Sequence, residues 1–259
     1  MTSFYIEVAR WGVQEADKRV VGLAASPVTM AQQPQVSLVN ILSAIQYSVH
    51  HFHDMVMLHR LHHQQGNPNF DQPEDYVVRE VTINKRFLWI QHETVVFQIR
   101  QNLHPNDPPF YLCVDRFADH STNPLAFDRI VYLPERPILL RTRTIWTLAF
   151  NNNTFNLCHL AALLRATHDI GPNYRLSGHN CFWHTSATVR LIQEHILAGQ
   201  AELIEVVEPP ARHWQRFWFR RHACFGRRIG IPTDAEIDDI HHRYQELLAQ
   251  QWIQPNQDI

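Results

Sequence analysis

The residues best placed to do chemistry lie in the run Tyr174-Arg175-Leu176-Ser177-Gly178-His179-Asn180-Cys181-Phe182-Trp183-His184. Asn180 is a helix-capping residue, and Ala187, Leu191, Ile192 and Ile196 recur at helical spacing after it. A thiol at such a helix start meets the positive end of the backbone dipole and a set of free N–H groups. That setting favours a reactive thiolate. The same N–H groups can hold the oxyanion that forms when a thiolate attacks a carbonyl. Such chemistry needs a base from elsewhere in the chain and a group to hold that base. His92 lies on the most strand-like segment, Phe87-Leu88-Trp89-Ile90-Gln91-His92-Glu93-Thr94-Val95-Val96-Phe97. A polar residue there either faces solvent or is aimed at a site.

This pattern resembles the papain-like cysteine enzymes of the NlpC type, in particular the permuted branch that contains lecithin retinol acyltransferase. The residues that carry the resemblance are Tyr174, Leu176, Asn180 and Cys181 at a helix start, with His92 on a strand that precedes them. It implies that Cys181 is the nucleophile and His92 the base, and that Asn180 and Tyr174 border the oxyanion and substrate. The likeness spans the chain from the His92 strand to the Cys181 helix. Two departures stand out. Phe182-Trp183-His184 follows the cysteine where the branch has Glu-His-Phe, and the next strand, Phe110 to Arg116, has no histidine.

Asp115 on that strand is the expected third member, because a carboxylate can orient His92 and stabilise its imidazolium. An Asp-Arg pair such as Asp115-Arg116 is otherwise commonly a surface ion pair. Cys113 shares the Asp115 face by strand alternation, so it lines the same region. His184, three residues past Cys181, is a reserve base, and His104 and His179 are further neighbours to test. The expected activity is cysteine-dependent acyl transfer through a Cys181 thioester, ending on water, an amine or an alcohol. That chemistry calls for no cofactor or metal, and the resemblance points to a small-molecule or lipid-like acyl substrate.

Two other readings accompany it. One is a papain-like domain that binds without catalysis, which the two departures favour. The other is a histidine-ligated metalloprotein. Of 18 histidines, His50, His51, His53, His59, His62 and His63 crowd one helical segment, with His59/His63 and His50/Asp54 four apart. A polar helix face built from histidine explains the same residues. Farther along, Arg212, Arg216 and Arg220 form a stripe interleaved with Trp214, Phe217 and Trp218. Such a segment can dock on an anionic membrane surface, or pack its aromatics inward as an ordinary amphipathic helix.

These residues need elements to position them. The chain has 259 residues, 45% hydrophobic and 19% charged, with a formal net charge of −2. That is enough apolar material for a real core, and no global charge points to nucleic acid. Cys113, Cys158, Cys181 and Cys224 form no CxxC pair, so neither a zinc ribbon nor a disulfide scaffold is expected. Glu7 and Arg10 arrive before any apolar run, so the expectation is a reduced, cytoplasmic protein without a secretory leader.

The expected fold is α+β, an antiparallel sheet of about five strands with the Cys181 helix packed on it and helices at both ends. Segments 76–83, 87–100, 110–116, 127–133 and 138–150 alternate as strands, with Asn84-Lys85 as one of the turns between them. One long helix is expected over 36–63, one from Asn151-Asn152-Asn153-Thr154 to Thr167, and one from Cys181 to near Gly199. A short strand is expected at 202–207, and Thr233 with Glu236 makes a capping box for a last helix to Trp252. The chain reads as one domain in three parts. Residues 1–75 hold an arm, with a short strand at Phe4 to Val8, and the long helix. Residues 76–200 are the catalytic core, and 201–259 the basic aromatic segment and last helix.

Overall fold

The computed structural model describes residues 37–44, 46–86, 92–118, 125–137, 142–150, 153–175, 178–196, 204–205 and 231–250. The N-terminal arm and its strand, the stripe of Arg212, Trp214, Arg216, Trp218 and Arg220, and Cys224 lie outside them. So does Trp252.

Seven antiparallel strands form a single sheet in the order β1-β5-β4-β3-β2-β6-β7. They are β1 (Tyr47–Ser48), β2 (Tyr76–Arg86), β3 (His92–Gln101), β4 (Phe110–Ala118), β5 (Ala126–Leu133), β6 (Thr142–Phe150) and β7 (Ile204–Glu205). The five long strands correspond to the five alternating segments of the sequence. The two-residue strands at either edge extend the count, because each lends only a pair of residues to its neighbour. Helices α1 (Leu38–Ala44), α2 (Val49–Gln64), α3 (Leu157–Ile170), α4 (Cys181–Leu191) and α5 (Asp234–Gln250) complete the α+β fold. None is long and apolar enough to cross a membrane.

One face of the sheet carries the main core. Phe97, Ile99, Leu112, Val114, Ile130 and Leu148 pack there against Phe52, Leu160, Leu163, Leu164, Trp183 and Ile237 from the helices. In β2 a register shift between Val78 and Glu80 resets the alternation. Tyr76 and Val78 before it, and Val81 and Ile83 after it, therefore all reach the same core. The opposite face is thinner, with Val96, Tyr111 and Cys113 buried and Val131 and Leu133 beside them.

Three sequence expectations are corrected. The long helix is broken: Tyr47 and Ser48 pair with Ile130 and Arg129 instead of continuing the turn. Ser48 then caps α2 by accepting the His51 N–H. Asn84 and Lys85 are not a turn, since β2 runs on to Arg86 and pairs them with Thr94 and Glu93. The third helix starts at Leu157, where Asn156 caps it by accepting the first-turn N–H of His159. At the C-terminal end the capping box forms as read. Thr233 N–H donates to Glu236 Oε2 over 2.7 Å, and Glu236 N–H donates back to Thr233 Oγ1 over 3.2 Å.

Candidate active site

Cys181 is the first residue of α4. Asn180 sets that start, its Oδ1 accepting the Trp183 N–H over 3.0 Å. Its side-chain oxygen is thereby engaged on the helix backbone rather than turned to a substrate. The first turn is held from two sides. Thr185 Oγ1 donates to the Cys181 carbonyl over 2.7 Å. The buried Trp183 ring presses on Gly171, where an added Cβ would lie 2.5 Å from the ring. No larger residue fits at 171 without moving the tryptophan that follows the cysteine by two positions.

His92 opens β3, and Asp115 stands near the end of β4, one rung away opposite Thr94. His92 Nε2 lies 3.1 Å from Asp115 Oδ1. An ionised carboxylate can only accept, so Nε2 is the protonated nitrogen of the ring. Thr94 Oγ1 donates to the same oxygen, and Arg129 Nη2 donates to Oδ2 over 3.1 Å. Burial would raise the Asp115 pKa, but the hydrogen bonds from His92, Thr94 and Arg129 hold it below the ordinary value. The His92 ring stacks on Phe117, with centroids 5.0 Å apart.

Cys181 is the second group that acts on the imidazole. Burial alone would lower the His92 pKa. The hydrogen bonds and charges of Asp115 and Cys181 outweigh it and lift the value to about 9. Tyr174 approaches from the loop before α4; burial and the charge of Cys181 raise its pKa, so the phenol keeps its proton. Cys181, His92, Asp115 and Tyr174, drawn from a helix, two strands and a loop, thus meet at one place.

The remaining candidates are elsewhere. Cys113 shares the Asp115 face as alternation predicts, but it is packed among Val96 and Tyr111. Its thiol is pushed up to about 12 by burial and by Asp115. His184 lies in the first turn of α4. It is buried beside Asp128 and Arg116, and burial pulls its pKa down to about 4. His179 lies 2.7 Å from Glu236 of α5. His104 is exposed in the β3–β4 loop, at the far end of the hairpin from His92.

The histidines of α2 disperse. His51 bonds Ser48, His53 bonds Asp54, His62 stacks on Phe70, and His63 bonds the Phe70 carbonyl. His50 meets His168 edge-on, and His59 is buried, its pKa pulled down to about 4 by burial. Among the described residues no group of three or more His, Cys, Asp or Glu is placed to hold a metal ion.

Sequence reasoning missed Thr94, Phe117, Arg129 and Arg116. Thr94 and Phe117 stand two residues from His92 and Asp115, so alternation alone could have named them. Arg129 needed the β4–β5 register, which pairs it with Asp115. The adjacent Asp115 and Arg116 cannot pair as a surface couple, because neighbours on a strand point to opposite faces. Arg116 is buried and bound to Asp128 instead. Compared with known proteins, the chain matches no family model, no curated protein and no solved structure.

Proposed function

We propose that this chain is a cysteine-dependent acyl-transfer enzyme with Cys181 as nucleophile, His92 as proton carrier and Asp115 as the group that orients His92. One observation carries the reading: a histidine whose Nε2 is held by a buried carboxylate is acted on by a cysteine that begins a helix. Nε2 is committed to Asp115, so Nδ1 is the nitrogen that exchanges a proton with Cys181. In the reaction the cysteine proton passes to Nδ1 and sulfur bonds to the acyl carbon. The leaving group departs with the proton from Nδ1. Water, an amine or an alcohol then gives its proton to Nδ1, attacks the thioester and frees the sulfur. Backbone N–H groups of the α4 first turn are the candidates to hold the oxyanion.

The surroundings of His92 favour an acyl group with an apolar chain. Phe117, Leu125 and Phe127 are 36%, 45% and 44% exposed, three of the six exposed large apolar side chains among the described residues. Phe117 stacks on His92 and pairs with Phe127 across the β4–β5 rung. Leu125 bridges to Asn173, next to Tyr174.

Binding without turnover is the second reading, and the 3% exposure of Cys181 favours it. One experiment separates the two. The chain is incubated with p-nitrophenyl esters of increasing acyl length, and intact mass is followed with nitrophenol release. Acyl transfer gives an adduct that Cys181→Ala abolishes, forming faster with longer chains. Phe127→Asp removes the length dependence and spares the acetyl ester. No adduct with any ester leaves the binding reading standing.

A further inference from the structure

The thinner face of the sheet carries a cavity on the same side as His92 and Asp115, apart from the apolar surface around Phe117. The chain after β5 brings Arg136 back to β2, where its Nη2 donates to Glu80 Oε1 over 2.8 Å. This bridge bounds a cavity of about 50 Å³, which Asn84 of β2, Gln98 of β3, Tyr111 of β4 and Thr144 of β6 also line. Strand register puts these residues on one face. Gln98 lies opposite Glu80 and Tyr111, and Asn84 lies opposite Thr94 and Thr144. Thr94 is the residue that donates to Asp115. The Asn84 end of the cavity therefore adjoins the His92–Asp115 site, one strand spacing of about 5 Å from Thr94.

The bonds already made in this cavity decide what it can take. Gln98 Nε2 donates to the Tyr111 hydroxyl over 3.0 Å, so the phenol proton and Gln98 Oε1 remain to be used. Thr144 Oγ1 donates to Asn84 Oδ1 over 2.8 Å, which leaves the Asn84 amide as a donor and the Thr144 oxygen as an acceptor. Among the described residues, Glu80 and Arg136 are the only charged ones that line the cavity, and they neutralise each other. Donors and acceptors are thus mixed at no net charge. A phosphate or carboxylate would face acceptors with no cation in surplus, and an ammonium would face donors with no anion in surplus. A hydroxyl both gives and accepts a hydrogen bond, so a run of hydroxyls satisfies both sets. The volume admits roughly three or four water-sized groups.

We propose that this cavity seats the far hydroxyls of a neutral linear polyol that accepts the acyl group. The inference rests on the acyl-transfer reading and deepens it by naming the class of acceptor. Along β4, Asp115 stands between Tyr111 of the cavity and Phe117 of the apolar surface, all three on one face. Acyl chain and polyol therefore approach the thioester from opposite sides. The near hydroxyl of the polyol gives its proton to His92 Nδ1, its oxygen bonds to the acyl carbon, and the C–S bond breaks. Sulfur leaves with the electron pair and takes the proton back from Nδ1, so an ester and a free thiol result. His92 lies one rung beyond Thr94, about 7 Å along the strand. A polyol that fills the cavity must therefore extend past it to react.

The test forms the thioester in the full chain with p-nitrophenyl hexanoate and offers sorbitol or n-propanol at equal concentration. Mass spectrometry measures the two hexanoyl esters and hexanoic acid. Sorbitol intercepts the thioester saturably, and about tenfold more often than n-propanol. Tyr111→Phe removes the phenol donor and lowers the sorbitol-to-propanol ratio roughly three- to tenfold, as loss of one hydrogen bond should. Arg136→Ala, at an exposed position, opens the cavity and lowers the ratio as well. Should one variant fail to fold, the other decides. A sorbitol yield no higher than that of n-propanol overturns the proposal, and so does a ratio that the variants leave unchanged. Failure of the nucleophile reading looks different, because no ester then forms an adduct. Saturation-transfer NMR from the chain to sorbitol decides the cavity in that case. A signal that Tyr111→Phe weakens upholds it as a polyol seat, and an equal signal in both chains, or none, overturns it.

Discussion

At the scale of single residues, the His92–Asp115 contact determines how the site responds to pH. The raised His92 pKa, near 9, requires the carboxylate and cysteine partners to outweigh burial. Asp115→Asn removes the carboxylate charge and lets the amide present either an oxygen or an N–H to Nε2. The expected outcome is a fall of the His92 pKa by one or more units, seen by NMR titration of the imidazole, and a loss of about 10²- to 10⁴-fold in acylation rate. Thr94→Val keeps the carboxylate and removes one of its donors, so its effect on both readouts is smaller. In the wild type, acylation by an alkyl ester or amide, whose leaving group needs a proton, falls as pH rises through about 9 because that donor is lost. The linked stability runs the same way. A histidine with a raised folded pKa contributes fully below its unfolded value near 6.5, and that contribution is lost as pH climbs to about 9. Cys181 and His92 could be picked from the sequence because a thiol at a capped helix start and a lone imidazole in an apolar strand are local patterns. Arg129 could not, since it lies near Asp115 only through strand register.

At the scale of elements, α4 is the piece whose placement matters most. Its start depends on the Asn180 cap and on Trp183 lying against Gly171. Asn180→Ala is expected to cost about 1 kcal/mol of stability, measured by urea denaturation, through the orphaned Trp183 N–H. Gly171→Ala is the harsher change, because the new methyl would meet the indole at 2.5 Å, inside any real contact. The ring must shift and carry the first turn with it. Acylation by the acetyl ester should therefore fall at least tenfold, with a loss of about 1–3 kcal/mol in stability. Helix starts and strand alternation were legible because caps, turn residues and periodicity are short-range signals. The break between α1 and α2 was not. Apolar periodicity runs straight through Tyr47 and Ser48, and only their pairing with β5 turns them into a strand.

At the scale of the whole molecule, histidine is again the prominent residue, for reasons of burial more than ligation. His59 and His184 are both about 1% exposed, and burial pulls each down to about 4. Each therefore binds a proton in the unfolded chain at a pH where the folded chain resists it. Stability is intact above about 6.5 and is lost as pH falls through about 4. Differential scanning calorimetry should show Tm dropping by at least ~5 °C between pH 7 and pH 4.5. His59→Phe, which removes one of the two imidazoles and keeps a ring beside Phe70, should flatten part of that drop. By itself, the sequence determined the α+β class, the positions of the five long strands, the capped start of α4 and the residue types able to do thiol chemistry. Each of these is written in neighbours within a few turns of chain. Only the tertiary structure decided the strand order, the face on which Asp115 and Arg116 each lie, the dispersal of the α2 histidines and the burial of His184. Those outcomes depend on which distant segments share the sheet and its core, and periodicity along one segment carries no record of its partners.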